Sequence, residues 1–80
     1  MGGSATALRA PFPGVVREVR IAAGQAVREG LVLIVIEAMK MMHNLAASGS
    51  GTVAELRCRE GDTVEGGQVL VVFVPESGAG

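Results

Sequence analysis

The stretch Glu37-Ala38-Met39-Lys40-Met41 contains the residues of this chain that are best suited to chemistry. Lys40 is the only lysine of the 80 residues. Its amine is a nucleophile that can be acylated to an amide, which removes the positive charge. Met39 and Met41 flank it with unbranched, polarizable side chains that adapt well to a partner surface. The pattern predicts a lysine that is presented for covalent modification.

No second site is indicated elsewhere in the chain. His43 is the only histidine, and no metal-ligand spacing surrounds it, so we read it as a polar residue on a strand and expect no bound metal. Cys58 is the only cysteine, which excludes an intrachain disulfide, and we expect it to be a small buried hydrophobic residue. The sequence contains no serine, histidine and acid set that suggests a nucleophilic triad.

The chain repeats itself on either side of the lysine segment. When the sequence is shifted by 37 positions, Gly14 aligns with Gly51 and no gap is needed. Two copies of one unit indicate a duplication within one small domain, because a stacked repeat array needs at least three. We therefore expect a fold with pseudo-two-fold symmetry. Further identical pairs include Val16/Val53, Glu18/Glu55, Arg20/Arg57, Gly24/Gly61, Val27/Val64, Gly30/Gly67, Val32/Val69, Leu33/Leu70 and Val35/Val72.

Both copies read as short β-strands separated by tight turns. The apolar residues of Val15 to Ile21 break a strict period of two, which predicts a β-bulge near Arg17 and Glu18 and its counterpart in the second copy. Glycines six residues apart then frame a single inward valine in each copy, so we expect positive φ at Gly30 and Gly67. The runs Leu31–Ile36 and 69–74 are rich in β-branched residues and favour strands over a short buried helix.

The lysine segment lies between two of these strands. We therefore expect a hairpin that joins 32–37 to 41–47, with Met39 and Lys40 at its tip. A Met-Lys turn is costly, because both residues need positive φ in the favoured two-residue turns, and the cost suggests selection for chemistry. The repeat places the counterpart of this tip at the end of the second copy, so the chain ends should lie opposite the lysine.

Composition restricts the classes of function. A chain of 80 residues that is 49% hydrophobic and 2% aromatic predicts one small domain over 8–75, with flexible segments at 1–7 and 76–80. The net charge of −1 and the scattered arginines argue against nucleic-acid binding. The apolar runs are too short to span a membrane, and a cytoplasmic location is the default expectation.

These residues resemble the biotinyl domains, or biotin carboxyl carrier domains, of biotin-dependent carboxylases, within the biotin/lipoyl attachment family. The resemblance rests on Glu37-Ala38-Met39-Lys40-Met41 and on the flanking ladder of glycine and valine. It implies an all-β fold, a flattened β-sandwich (barrel-sandwich hybrid) of two four-stranded antiparallel sheets with pseudo-two-fold symmetry. It further implies that a biotin protein ligase attaches biotin covalently to Lys40, and that Glu37, Ala38, Met39 and Met41 form the surroundings of the cofactor.

In this family the domain is a non-catalytic carrier. It shuttles an activated carboxyl group from a biotin carboxylase site to a carboxyltransferase site. We expect the isolated domain to be monomeric. The motif residues Glu37 and Ala38 favour an acyl-CoA carboxylase over a pyruvate or urea carboxylase. The direct run from Val19 to Val27 leaves no room for the protruding thumb of some bacterial carriers, so we expect the thumbless type. Gln25 and Leu31 depart from the family pattern and put details of the turns in doubt.

Two other interpretations remain open at this point. A lipoyl domain of a 2-oxoacid dehydrogenase complex shares the fold but usually has an Asp-Lys-Ala-like tip, and Met39 and Met41 argue against it. An unmodified structural or interaction module of the same fold is the third possibility.

Overall fold

Eight β-strands form two four-stranded sheets in the computed structural model, which describes residues 6–75. One sheet has the order β1-β8-β6-β3 and the other β5-β4-β2-β7, and all pairings are antiparallel. The predicted all-β sandwich is confirmed. The strands are β1 Thr6–Arg9, β2 Gly14–Val19, β3 Ala26–Val27, β4 Val32–Ala38, β5 Met41–Ala46, β6 Gly51–Leu56, β7 Thr63–Val64 and β8 Val69–Pro75.

The predicted bulge is present in both copies. The register of β2 against β4 shifts between Val16 and Glu18, and that of β6 against β8 shifts between Val53 and Glu55. One extra residue in each strand therefore bends it over the core. Val16 points into the core from one sheet and Val53 points into it from the other, and both are fully buried.

The duplication is visible in the order of the strands. A shift of 37 residues converts β2, β3 and β4 into β6, β7 and β8, and it converts one sheet order into the other. The short strand of each copy pairs with the long strand of the other copy, β3 with β6 and β7 with β2. Each copy is therefore completed by a strand of its partner copy.

Backbone hydrogen bonds at the turns fix this exchange. The Gly24 N–H donates to the Val53 carbonyl and the Gly61 N–H donates to the Val16 carbonyl, both at 2.8 Å. Both glycines have positive φ, 89° and 94°, a conformation that side chains disfavour. Glycine at these positions lets each turn reach the strand of the opposite copy.

Gln25 and Leu31, which depart from the family pattern, keep the same backbone hydrogen bonds in their turns as the equivalent residues of the second copy. The Gln25 side chain accepts a hydrogen bond from the Ala22 N–H at 3.1 Å, as the Asp62 carboxylate does from the Arg59 N–H at 3.0 Å. In the second copy, the side chain of Gln68 accepts a hydrogen bond from the Glu65 N–H at 3.0 Å. Leu31, the counterpart of Gln68, has no side-chain acceptor for such a bond. Its N–H nevertheless donates to the Arg28 carbonyl at 3.0 Å, the same distance as in the equivalent bond of the second copy.

The core between the sheets consists mainly of aliphatic side chains from both copies. Cys58 is among the buried residues, as predicted. Burial, with a smaller contribution from the charge of Asp62, raises the pKa of its thiol. The cluster comprises Ala10, Val16, Ile21, Val27, Leu33, Ile34, Ile36, Ala47, Val53, Cys58, Val64, Leu70, Val71 and Phe73.

The first strand begins two residues before the predicted domain boundary. Thr6 and Ala7 pair with Phe73 and Val72 of β8, so hydrogen bonding to that strand orders them. The remaining parts of the two segments that we expected to be flexible, 1–5 and 76–80, lie outside the described residues.

The sandwich begins and ends away from the hairpin formed by β4 and β5. Strand β5 leads from Met41 to the turn 48–50, and that turn lines a surface recess together with Thr6, Phe73 and Pro75. The ends of β1 and β8 therefore lie opposite the hairpin tip, as the repeat predicted.

Gly30 and Gly67 have positive φ, 89° and 87°, which confirms their predicted equivalence. A Cβ at either position would meet no atom within 4 Å, so a side chain there would be opposed by backbone conformation alone. We expect Gly30→Val and Gly67→Val each to lower the free energy of unfolding by about 1–3 kcal/mol in urea titrations. Gly49→Val is the matched control, because Gly49 also faces open space but lacks positive φ. Equal losses in all three variants would contradict the assignment.

Candidate functional site

The hairpin of β4 and β5, called here the lysine hairpin, presents Lys40 at its tip. Ala38 pairs with Met41, and only Met39 and Lys40 connect the two strands. Their φ angles are 54° and 65°, so both residues adopt the left-handed conformation that a tight two-residue hairpin turn of this class requires. Such a conformation costs about 1–3 kcal/mol for each non-glycine residue. The predicted costly turn is present.

The side chains of the turn extend into solvent. Met39 is 85% exposed, Met41 is 61% exposed, and Lys40 between them is exposed as well. None of the ion pairs among residues 6–75 involves Lys40. Its amine is therefore accessible to a macromolecule that approaches the tip from outside.

The base of the lysine hairpin depends on a close approach of two strands. A Cβ on Gly14 would lie 2.6 Å from the Glu37 carbonyl oxygen and 3.3 Å from the Ala38 Cβ. Ala38 itself is buried. Of the five motif residues, Ala38 alone is buried, and a larger side chain at this position would collide with β2. Its small size allows β2 to approach the base of the hairpin closely, and its role beside the cofactor stays a prediction.

Glu37 forms an ion pair that the sequence analysis did not predict. The Arg17 Nε lies 3.2 Å from the Glu37 Oε1, across β2 and β4 on the outer face of the sheet. The two side chains are 51% and 41% exposed, so the pair contributes less than about 1 kcal/mol to stability. The equivalent residues of the second copy are Ala54 and Val74. This pair therefore distinguishes the lysine end from its pseudo-symmetric counterpart.

Two further contacts beside the tip were also missed. The rings of Phe12 and His43 meet edge to face with centroids 4.6 Å apart, and Phe12 thereby packs the entry segment against β5. His43 lies on the strand that leaves the tip, as predicted. Met42 pairs directly with Glu37 and is exposed, so a third methionine belongs to the surface around Lys40. The sequence run Met41-Met42 was the available signal for it.

The tip projects from the sandwich and lines none of the three surface recesses found among residues 6–75. The shallow recesses of the surface lie elsewhere, lined by residues such as Ala26, Thr52 and Pro75. Among residues 6–75, no group of three His, Cys, Asp or Glu side chains is arranged to hold a metal ion. The same part of the chain contains no helix long and apolar enough to cross a membrane. The arrangement suits a lysine that another protein modifies.

Comparisons with known proteins agree with this geometry. The family described as "Biotin-requiring enzyme" matches residues 6–73. The propionyl-CoA carboxylase alpha chain, mitochondrial, of Homo sapiens is 47% identical over 68 residues, which are 85% of this chain and 9% of that protein. The biotin carboxyl carrier protein of Streptococcus mutans is 35% identical over 70 residues, 88% of this chain and 54% of that protein.

A solved structure of a single-chain, multi-domain long-chain acyl-CoA carboxylase superimposes with a TM-score of 0.86 at 37% identity, over 91% of this chain and 7% of that one. The chain thus spans a small fraction of the large carboxylases that it matches. It belongs to the biotin/lipoyl attachment family, and its relatives include a biotin carboxyl carrier protein and the alpha chain of a carboxylase. The loop between β2 and β3 carries no thumb.

The duplication supplies a matched test of the hairpin base. Gly14→Ala should displace Glu37, and Gly51→Ala should displace Val74, whose carbonyl oxygen would clash with the new Cβ. We expect each variant to lose about 1–3 kcal/mol of stability through overpacking. Amide hydrogen exchange should rise in the lysine hairpin for Gly14→Ala and at the end of β8 for Gly51→Ala. The same exchange pattern in both variants would show that the two contacts are not local.

Proposed function

We propose that Lys40 is the attachment site of biotin and that this domain is a covalent biotin carrier. The observation that carries the proposal is the position of the only lysine, exposed at a strained two-residue tip of a sandwich from the biotin/lipoyl attachment family. The strain favours the proposal, because easier turn residues were available for a purely structural hairpin.

The residues around Lys40 fit the attachment of this group. The amine projects from the sandwich and takes part in no ion pair of the described chain, so a biotin protein ligase can reach it. The amine acts as the nucleophile and loses its charge when the amide forms. When bound, biotin supplies a ring nitrogen that carries a carboxyl group. Met39 and Met41 offer apolar, adaptable contacts on both sides of the amine.

The domain itself is a non-catalytic part of a biotin-dependent carboxylase in this proposal. Its partners are a biotin carboxylase and a carboxyltransferase, and tethering raises the local concentration of the carried group at both. The similarity to propionyl-CoA carboxylase and to a long-chain acyl-CoA carboxylase supports an acyl-CoA acceptor. The monomeric state and the cytoplasmic location stay predictions.

The lipoyl alternative is less well supported. The named relatives are carboxylases and a biotin carboxyl carrier protein. The tip has methionine on both sides of the lysine, where lipoyl domains usually have aspartate and alanine. We therefore infer that Met39 and Met41 contribute much of the selectivity between the two ligases.

The attachment site can be tested by removing the amine. After co-expression with a biotin protein ligase, the intact mass of the parent should show one biotinyl group, and Lys40→Ala and Lys40→Arg should show none. Lys40→Arg is the matched control because it keeps the positive charge. Both variants should retain the parent's stability within about 0.5 kcal/mol, because the tip is exposed. Streptavidin capture of Lys40→Ala as strong as that of the parent would refute the site.

The role of the methionines can be tested with two ligases side by side. We expect Met39→Asp combined with Met41→Ala to lower kcat/KM for a biotin ligase by about tenfold, because the aspartate charge must be desolvated in the complex. The variant should become a better acceptor for a lipoate ligase, since specificity includes rejection of the wrong partner. Val74→Asp adds the same charge at the far end and should change neither rate. An unchanged rate of biotinylation in the double variant would show that the position of the lysine suffices.

A further inference from the structure

Three exposed methionines surround Lys40. Met39, Met41 and Met42 are 85%, 61% and 58% exposed, whereas the buried core of the described chain contains no methionine. The fourth methionine of the sequence is Met1. This distribution is unusual, because methionine commonly fills irregular gaps in cores. Here the thioethers of the described chain are concentrated at the functional tip.

Exposed thioethers are open to oxidation by peroxides. The sulfur atom takes one oxygen from the peroxide, the O–O bond breaks, and water or an alcohol is released while the sulfur is oxidised by two electrons. The product is a sulfoxide, which is polar and chiral where the thioether was apolar. A dithiol-dependent reductase reverses the reaction, releasing the oxygen as water while the dithiol becomes a disulfide.

The other sulfur in the described chain is protected. Cys58 is buried beneath the sheets, and its burial raises the pKa of the thiol, which lowers the fraction of the reactive thiolate. A peroxide that meets the folded domain should therefore react first with the methionines beside Lys40.

Oxidation would change the surface that a ligase must cover to reach the amine. Met39 and Met41 are the immediate neighbours of Lys40, and Met42 pairs with Glu37 on the adjoining outer face. A sulfoxide dipole in this surface must be desolvated when a partner docks, whereas a thioether carries little such cost. The core contains none of these side chains, so the fold should be unaffected.

We propose that Met39, Met41 and Met42 form a reversible peroxide-oxidation site around Lys40, and that their conversion to sulfoxides slows acylation of Lys40. The proposal rests on the proposed function of Lys40 as a biotin acceptor. It adds a redox control that acts on loading of the carrier.

The experiment treats the unmodified 80-residue chain with hydrogen peroxide and locates the added oxygen by peptide mass mapping. The treated and untreated proteins are then compared as substrates of a biotin protein ligase. We expect oxidation at the three tip methionines and a fall in kcat/KM of about tenfold, equivalent to about 1.4 kcal/mol. Incubation with methionine sulfoxide reductases and a dithiol should restore the rate.

The matched control combines Met39→Leu, Met41→Leu and Met42→Leu and retains Met1 and Cys58. The ratio of treated to untreated rates should stay near one in this variant. A parent rate unaffected by complete oxidation of the tip would overturn the proposal, as would an equal loss in parent and control or a failure of the reductases to restore the parent. A parent that is not biotinylated before peroxide treatment would instead refute the proposed function.

Discussion

The structure depends on the exchange of short strands between the two copies of the repeat. The N–H groups of Gly24 and Gly61 donate to carbonyls of the opposite copy, and these bonds hold β3 against β6 and β7 against β2. An unpaired backbone group in such a thin sandwich would be costly, so neither copy can satisfy its edges without the other. The duplication is thus a requirement of the fold, and the lysine hairpin is built on a base to which both copies contribute.

Symmetry provides this base, and departures from symmetry define the site. The ion pairs Glu18–Arg20 and Glu55–Arg57 occur in both copies, whereas the pair between Arg17 and Glu37 occurs only at the lysine end. The contact of Phe12 with His43 also belongs to that end alone, because the residue equivalent to Phe12 is Gly49. Residues that break a repeat are therefore the ones to examine first in a duplicated domain of this kind.

Much of the architecture could be predicted because each sequence signal for a strand, bulge or turn occurs in both copies of the repeat. The bulge at Arg17, the positive φ of Gly30 and Gly67, and the Met39-Lys40 tip were all predicted from spacing and residue type.

The missed features depend on three-dimensional neighbours that the sequence does not specify. Arg17 meets Glu37 only because the register of β2 on β4 brings them together, and Phe12 meets His43 through the path of the entry segment. The start of β1 at Thr6 was missed because its pairing with β8 overrides a composition typical of a linker.

The positions of the sandwich's two ends have a mechanical consequence. Lys40 lies at one end of β5, and the outer ends of β1 and β8 lie near the other. Six residues of extended strand span about 20 Å. If a protein binds this sandwich through β1 or β8, the bound end is the pivot and Lys40 is at the moving end. A turn of half a radian about that pivot would sweep the amine through about 10 Å, since the arc is the product of the angle and the strand's length.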